Sequence, residues 1–185
     1  MLKNSICSLL LAACLLACVT PQAADTTITP PMLESRPNAF VMDANGRQYI
    51  LGAFSSSADL NPGVGEAAAT QVATGSDLFI LCLGPDSGYL WSRTLGTSFG
   101  VSPTTLAVAN GNVYIAGSLG NTNPVFENGR ASQTTLTATA GPFVLSLQAA
   151  DGSLNTGFGT GGILNVPAVN SIAQMVAGTN LYLSG

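Results

Sequence analysis

The sequence predicts an all-β protein made of repeated four-stranded antiparallel units. Three observations carry this reading. The first is a recurring turn-strand-glycine signature: A-N-G-R-Q-Y-I-L-G-A at 44–53, A-N-G-N-V-Y-I-A-G-S at 109–118 and A-G-T-N-L-Y-L-S-G at 177–185. Tyr49 and Tyr114 are 65 residues apart, as are Gly52 and Gly117; Tyr114 and Tyr182 are 68 apart, as are Gly117 and Gly185. A fixed period of this kind marks a repeat architecture. The second is composition: charged residues are 8% and aromatics 6% of the chain, and Gly, Thr, Val and Asn are plentiful, which suits strands with frequent turns. The third is the strand pattern. Val113-Tyr114-Ile115-Ala116 and Phe79-Ile80-Leu81-Cys82-Leu83 do not alternate with polar residues. Neighbouring side chains on a strand point to opposite faces, so both faces of such a sheet must be covered.

Repeating antiparallel units covered on both faces describe β-propeller-like blades of four strands. The chain holds about two complete units, 39–104 and 105–170, and the start of a third at 171–185, an incomplete propeller. A β-solenoid, with shorter and evenly sized rungs, is the alternative. Helical repeats are excluded by the period-2 strands.

Residues 1–24 read as an export signal: Lys3 supplies a positive start, and the apolar run 6–19 is short for a bilayer span. Leu11-Ala12-Ala13-Cys14 and Leu15-Leu16-Ala17-Cys18 both resemble a bacterial lipobox, so Cys14 and Cys18 are candidate lipidation sites. A cleaved secretory signal ending near Ala24 is the other reading. Three of the four cysteines belong to this segment, and Cys82 alone lies in the folded body. Within its apolar strand Cys82 reads as a small core residue, unreactive to thiol reagents, and not as a nucleophile. Residues 25–38, with Pro30, Pro31 and Pro37, read as a linker.

The first unit opens with a strand at 40–42. Asp43-Ala44-Asn45-Gly46 is a hairpin turn, since Asn-Gly accepts positive φ. Strands follow at 48–54, 77–83 and 89–95, with a long irregular stretch at 55–76 and a turn at Pro85-Asp86-Ser87-Gly88. Residues 96–104 connect the units. The second unit repeats the order, with strands at 106–109, 112–117, 142–147 and 163–166. Phe79 maps to Phe143 and Gly88 to Gly152, each 64 residues on.

The segment G-A-F-S-S-S-A-D-L-N-P-G at 52–63, with G-S-D-L-F-I-L-C-L at 75–83 and L-W-S-R-T-L-G at 90–96, resembles the bacterial SBBP repeat of β-propellers. The close of the second unit, D-G-S-L-N-T-G-F-G-T-G-G at 151–162, resembles instead the delta-60 repeat, another secreted propeller-like family, and Trp91 has no counterpart at Asn155. The resemblance covers about residues 39–185 and implies an exported bacterial β-propeller. Neither family implies one activity, so no catalytic residue is carried over.

The chain has no histidine, and its one lysine, Lys3, lies in the export segment. Ser-His-Asp and Cys-His catalysis, His-ligated zinc, Schiff bases and Ser-Lys dyads are therefore excluded from the mature chain. Four arginines against nine acids give no basic patch, which argues against nucleic acid as a partner. The glycine-rich run 157–162 leads into β-type residues, so it reads as a turn and not a phosphate cradle. Asp43-Ala44-Asn45 has donors at alternate positions, but Arg47 takes the next one, which repels a cation. Asp59 with Asn61, and Glu127 with Asn128, lie on corresponding long loops. They are the candidates for binding a cation or a sugar, against ordinary solvated loop polarity. Asp86 and Asp151 sit in equivalent turns, too far apart on adjacent blades for the ~5–9 Å of a glycosidase pair. Trp91 reads as core between units, with sugar stacking as the alternative.

The expected function is a non-enzymatic, exported binding or interaction surface for an unidentified protein or glycan, with no cofactor and with membrane anchoring through a lipidated Cys14 or Cys18. An enzyme whose active residues lie outside this chain, and a structural adhesin-like solenoid, are the rivals. Because a terminal blade leaves one apolar face open, further blades are expected from a longer chain or from self-association.

Overall fold

In the computed structural model residues 35–60, 68–70 and 75–185 are described. The expected export segment with Cys14 and Cys18, most of the expected linker, and Asn61 lie outside the described residues. The described residues contain strands and turns and no helix: β1 (Ser35–Met42), β2 (Gln48–Phe54), β3 (Ser57–Asp59), β4 (Ala68–Thr70), β5 (Asp77–Leu83), β6 (Tyr89–Gly96), β7 (Val101–Ala109), β8 (Asn112–Leu119), β9 (Val125–Phe126), β10 (Thr134–Thr135), β11 (Gly141–Gln148), β12 (Ile163–Asn165), β13 (Gln174–Ala177) and β14 (Leu181–Ser184).

The protein is all-β and its sheets are antiparallel and open. One sheet runs β1-β2-β5-β6 and is extended at its outer edge by β9 and β10; a second runs β12-β11-β8-β7; β13 and β14 form a third pair. The register makes the first two equivalent. Phe79 lies opposite Gly52 and Phe143 opposite Gly117, while Val41, Ala107 and Val176 lie opposite Tyr49, Tyr114 and Tyr182.

The faces pack as the sequence pattern requires. Tyr49, Leu51, Ile80 and Cys82 of the first sheet share a buried core with Val113, Ile115, Phe143 and Leu147 of the second. The opposite face of the second sheet, Ala116 and Val144, packs on Ile172 and Met175 next to the third pair. The opposite face of the first sheet is covered from within its own unit, where Ala58 and Leu60 lie over Phe54 and Phe79. The equivalent tyrosines record this stacking. Tyr49 is fully buried, Tyr114 is packed against the second core, and Tyr182 on the outermost hairpin is 64% exposed.

Two expectations are corrected. The linker does not extend to Asn38, because β1 begins at Ser35. Pro37 is accommodated because β1 is an edge strand, where the missing N–H costs no ladder bond, and the register shifts between Pro37 and Ala39. Likewise β7 begins at Val101, inside the expected connector, with the matching shift between Pro103 and Thr105. The first hairpin has a longer turn than the second, Met42 lying opposite Gln48 and Ala109 opposite Asn112. Asn110 and Gly111 both have positive φ, of 52° and 75°, as a primed turn demands. In the first unit only Gly46 does, and Asp43 Oδ1 accepts the N–H groups of Asn45 and Arg47 at 2.8 and 3.0 Å, closing a longer loop.

The recurring glycine has a physical cause. A Cβ on Gly52 would lie 2.5 Å from the Arg36 carbonyl oxygen and 2.5 Å from the Phe79 ring. A Cβ on Gly117 would meet the Ser102 carbonyl and, at 3.1 Å, the Phe143 ring. The third copy, Gly185, approaches the Ser171 carbonyl in the same way. The glycine thus lets a proline-bulged edge strand and a phenylalanine ring close on the same point. We expect Gly117→Ala to destabilise the chain by about 2–3 kcal/mol, since backbone and ring must both move. Gly178→Ala, with open space at its Cβ position, should stay within about 0.5 kcal/mol. Denaturant unfolding of the two variants checks this, and equal midpoints would refute the steric account.

Candidate functional site

The polar chemistry of the described residues concentrates where the first two sheets meet. The loop candidate Glu127 lies there and is not a solvated loop acid. It is 1% exposed and sits just after β9, which pairs with β6 through Leu95 opposite Phe126. Its φ of 58° is left-handed, which costs a non-glycine residue roughly 1–2 kcal/mol. Its bonds offset that cost. Its N–H donates to the Thr94 carbonyl at 3.0 Å, and its Oε1 accepts the Thr94 N–H at 3.0 Å. The carboxylate therefore replaces the main-chain acceptor that the kinked backbone withdraws from the ladder. Arg130 Nη1 lies 3.2 Å and Arg93 Nη1 3.8 Å from Oε2. Arg130 Nη1 also donates to the Ser92 carbonyl at 3.2 Å. The segment of the second unit is in this way strapped over the outer edge of the first sheet, and that edge is no longer open for pairing.

A second set of contacts joins the same two sheets at the turn after β11. Trp91 Nε1 donates to the Ala149 carbonyl at 3.2 Å, and Arg47 Nη1 to the same oxygen at 3.0 Å. Arg93 Nε donates to the Gly152 carbonyl at 3.0 Å, and its Nη2 donates to that of Asp151. The Trp91 ring lies where a Cβ on Gly152 would fall, at 2.6 Å, and the Arg93 guanidinium carbon is 5.9 Å from its centroid. Trp91 is therefore a buried clamp between units, not a stacking platform for a sugar. Arg47, Trp91 and Arg93 correspond to Asn112, Asn155 and Gly157 in the second unit, so this donor set occurs at one junction and not at the next. The sequence places Trp91 between the units, but it assigns Arg93 no role and Arg47 only that of repelling a cation. The signal was the departure from periodicity at these three positions.

Beside the clamp a cleft of about 480 Å³ opens between the first two sheets at their turn ends, lined by Met42, Asp43, Arg47, Val108, Asn110 and Ala149 among others. Asp43 is occupied on its floor, taking the Tyr49 hydroxyl at 3.2 Å as well as its two turn N–H groups. The other acids of the turns do similar work. Asp86 accepts the Gly88 N–H at 3.1 Å, and Asp151 accepts the Ser153 N–H at 2.9 Å and hydroxyl at 2.7 Å. Those bonds from Ser153 hold the Asp151 carboxyl below its usual range. Asp59 is half-buried on β3, and Asn128 is half-buried beside Glu127. Among the described residues no three His, Cys, Asp or Glu side chains gather into a metal site. The glycine-rich run 157–162 leads into the strand β12 and not into a helix.

Cys82 is buried, and burial pushes its thiol up to about 11. Burial also pushes the Tyr49 hydroxyl up to about 12, with Cys82 and Asp43 adding to the rise. Both groups fold as neutral acids. The stability this contributes is complete below pH 9 and is lost as pH rises through about 11 for Cys82 and about 12 for Tyr49. Unfolding midpoints measured against pH should fall across that window. A thiol reagent should modify Cys82 only on unfolding, and rapid reaction of the folded chain would refute the packing. Glu127→Gln should cost about 3 kcal/mol, because two arginines then face a neutral amide. A loss below about 0.5 kcal/mol would show the strap to be incidental.

No family model matches the chain, and neither a curated protein nor a solved structure matches it.

Proposed function

We propose that this chain is an exported β-propeller repeat protein of the SBBP kind, carrying a delta-60-like second unit, and that it works as a non-catalytic binding surface for a protein or glycan. The observation that carries the functional reading is the use of its charged side chains. Asp43, Asp86 and Asp151 close turns, while Arg47, Arg93, Glu127 and Arg130 fasten one unit to the next. Charges spent on architecture leave small polar loops and clefts, which suit recognition more than acid–base chemistry. Up-and-down antiparallel units that pack face to face support a propeller over a solenoid. Export follows from the reading of residues 1–24, and a lipid on Cys14 or Cys18 would tether the chain to the bacterial envelope through residues 25–34.

The test uses the chain recovered from exporting cells. It is expected in the envelope or the medium, shortened at its N-terminus, and retained on defined members of a glycan and protein array. The bound ligand should be recovered chemically unchanged. Turnover of a retained ligand would overturn the non-catalytic reading. Accumulation of unprocessed chain in the cytosol would overturn export.

A further inference from the structure

The chain contains three Asn-Gly pairs in turns, at Asn45-Gly46, Asn110-Gly111 and Asn128-Gly129, and the structure treats them differently. The Gly46 N–H donates to the Asp43 carbonyl at 3.0 Å, and a Cβ on Gly46 would lie 3.3 Å from Pro85. The Gly129 N–H donates to Gln133 Oε1 at 2.8 Å. The Gly111 N–H has no protein acceptor among the described residues; Asn110 and Gly111 are both exposed, and the space around Gly111 is open. The Asn110 side chain also has a task. Its Nδ2 donates to the Gly178 carbonyl at 2.7 Å, tying the β7–β8 turn to the β13–β14 turn.

We propose that Asn110 is a site of spontaneous deamidation that releases the third hairpin from the second sheet. The Gly111 amide nitrogen attacks Asn110 Cγ, forming a C–N bond in a five-membered succinimide. Nδ2 leaves as ammonia, carrying the proton given up by the amide. Water then opens the ring at either carbonyl, giving Asp or isoAsp. A hydrogen-bonded amide must lose its partner before it can be deprotonated and attack, which holds Gly46 and Gly129 back, whereas the Asn110 bond to Gly178 ties the leaving nitrogen and not the attacking one. The consequence follows from the bond lost. The product carboxylate has no donor for the Gly178 oxygen and sets negative charge against it. The isoAsp product also lengthens the backbone inside a two-residue turn whose register, Ala109 opposite Asn112, leaves no room for an added atom.

The experiment ages the folded chain at mildly alkaline pH and follows the three Asn-Gly peptides by mass spectrometry, with isoAsp marked by isoaspartyl methyltransferase. Asn110 should deamidate roughly fivefold or more faster than Asn45 and Asn128, the order one hydrogen bond imposes. In denaturant the three rates should converge. Equal rates in the folded chain would overturn the site assignment. Asn110→Asp mimics the product without the ageing step, and hydrogen exchange across β13 and β14 should be faster in it than in the parent. Unchanged exchange in both Asn110→Asp and the aged chain would overturn the release.

Discussion

A strand with apolar side chains on both sides can be buried only between two partners, and the rest of this molecule follows from that constraint. Ile80 and Cys82 point one way from β5, Phe79 and Leu81 the other. Fully burying a side chain of this size contributes about 1.5–3 kcal/mol. Two uncovered faces would therefore forfeit most of a domain's net stability. The second sheet covers one face of the first. The other face is covered by Ala58 and Leu60 from the long connection between β2 and β5. That connection therefore covers, from within the unit, the face of β5 that the second sheet does not reach.

Stacking alone would leave the units free to slide, because dispersion and hydrophobic burial have little directionality. Direction comes from a small number of polar contacts made across the junction. Three side chains of the first unit, with four donor groups, reach the carbonyl oxygens of Ala149, Asp151 and Gly152, and those oxygens belong to a turn whose own ladder has ended. Glu127 fixes the outer edge by restoring both halves of the bond pattern at Thr94. A clamp at the turn end and a strap at the outer edge together prevent rotation of one sheet on the other.

Much of this was legible in the sequence, and the reasons are specific. The Asn-Gly turn and the two-sided apolar runs placed β2, β5 and most of β6 because local pattern and tertiary burial agree there. The starts of β1 and β7 were not legible. Pro37 reads as part of the linker and 96–104 as a connector, and only the pairing across Gly52 and Gly117 shows that Pro37 and Pro103 each sit in a bulged edge strand. Glu127 was singled out for its charge and its loop, yet its partners Thr94 and Arg93 lie 33 and 34 residues earlier in the chain. No local pattern carries a contact of that separation. The Glu127–Arg130 pair, three residues apart, was the part of the network that spacing could have shown.

The two junctions solve the same packing problem with different chemistry, and the register shows where the exchange was made. Around Tyr49 the first unit places Arg47, Cys82 and Trp91; around Tyr114 the second places Asn112, Ser146 and Asn155. In the first set Arg47 and Trp91 are bulky and reach outward to the neighbouring unit. The second is small and turns inward: Asn155 Nδ2 donates to Asn112 Oδ1 and to Ser146 Oγ, both at 3.2 Å. The aromatic partner of Tyr114 is Phe158, whose ring meets it edge-on at 5.7 Å, while Trp91 meets Tyr49 at 6.0 Å. A repeat can therefore change its fourth strand and its closing turn together while the glycine, the facing phenylalanine and the bulged edge strand stay fixed. Those three set the distance between strands within a unit, and the side chains around the tyrosine decide whether the unit bonds outward, as Arg47 and Trp91 do, or inward, as Asn155 does.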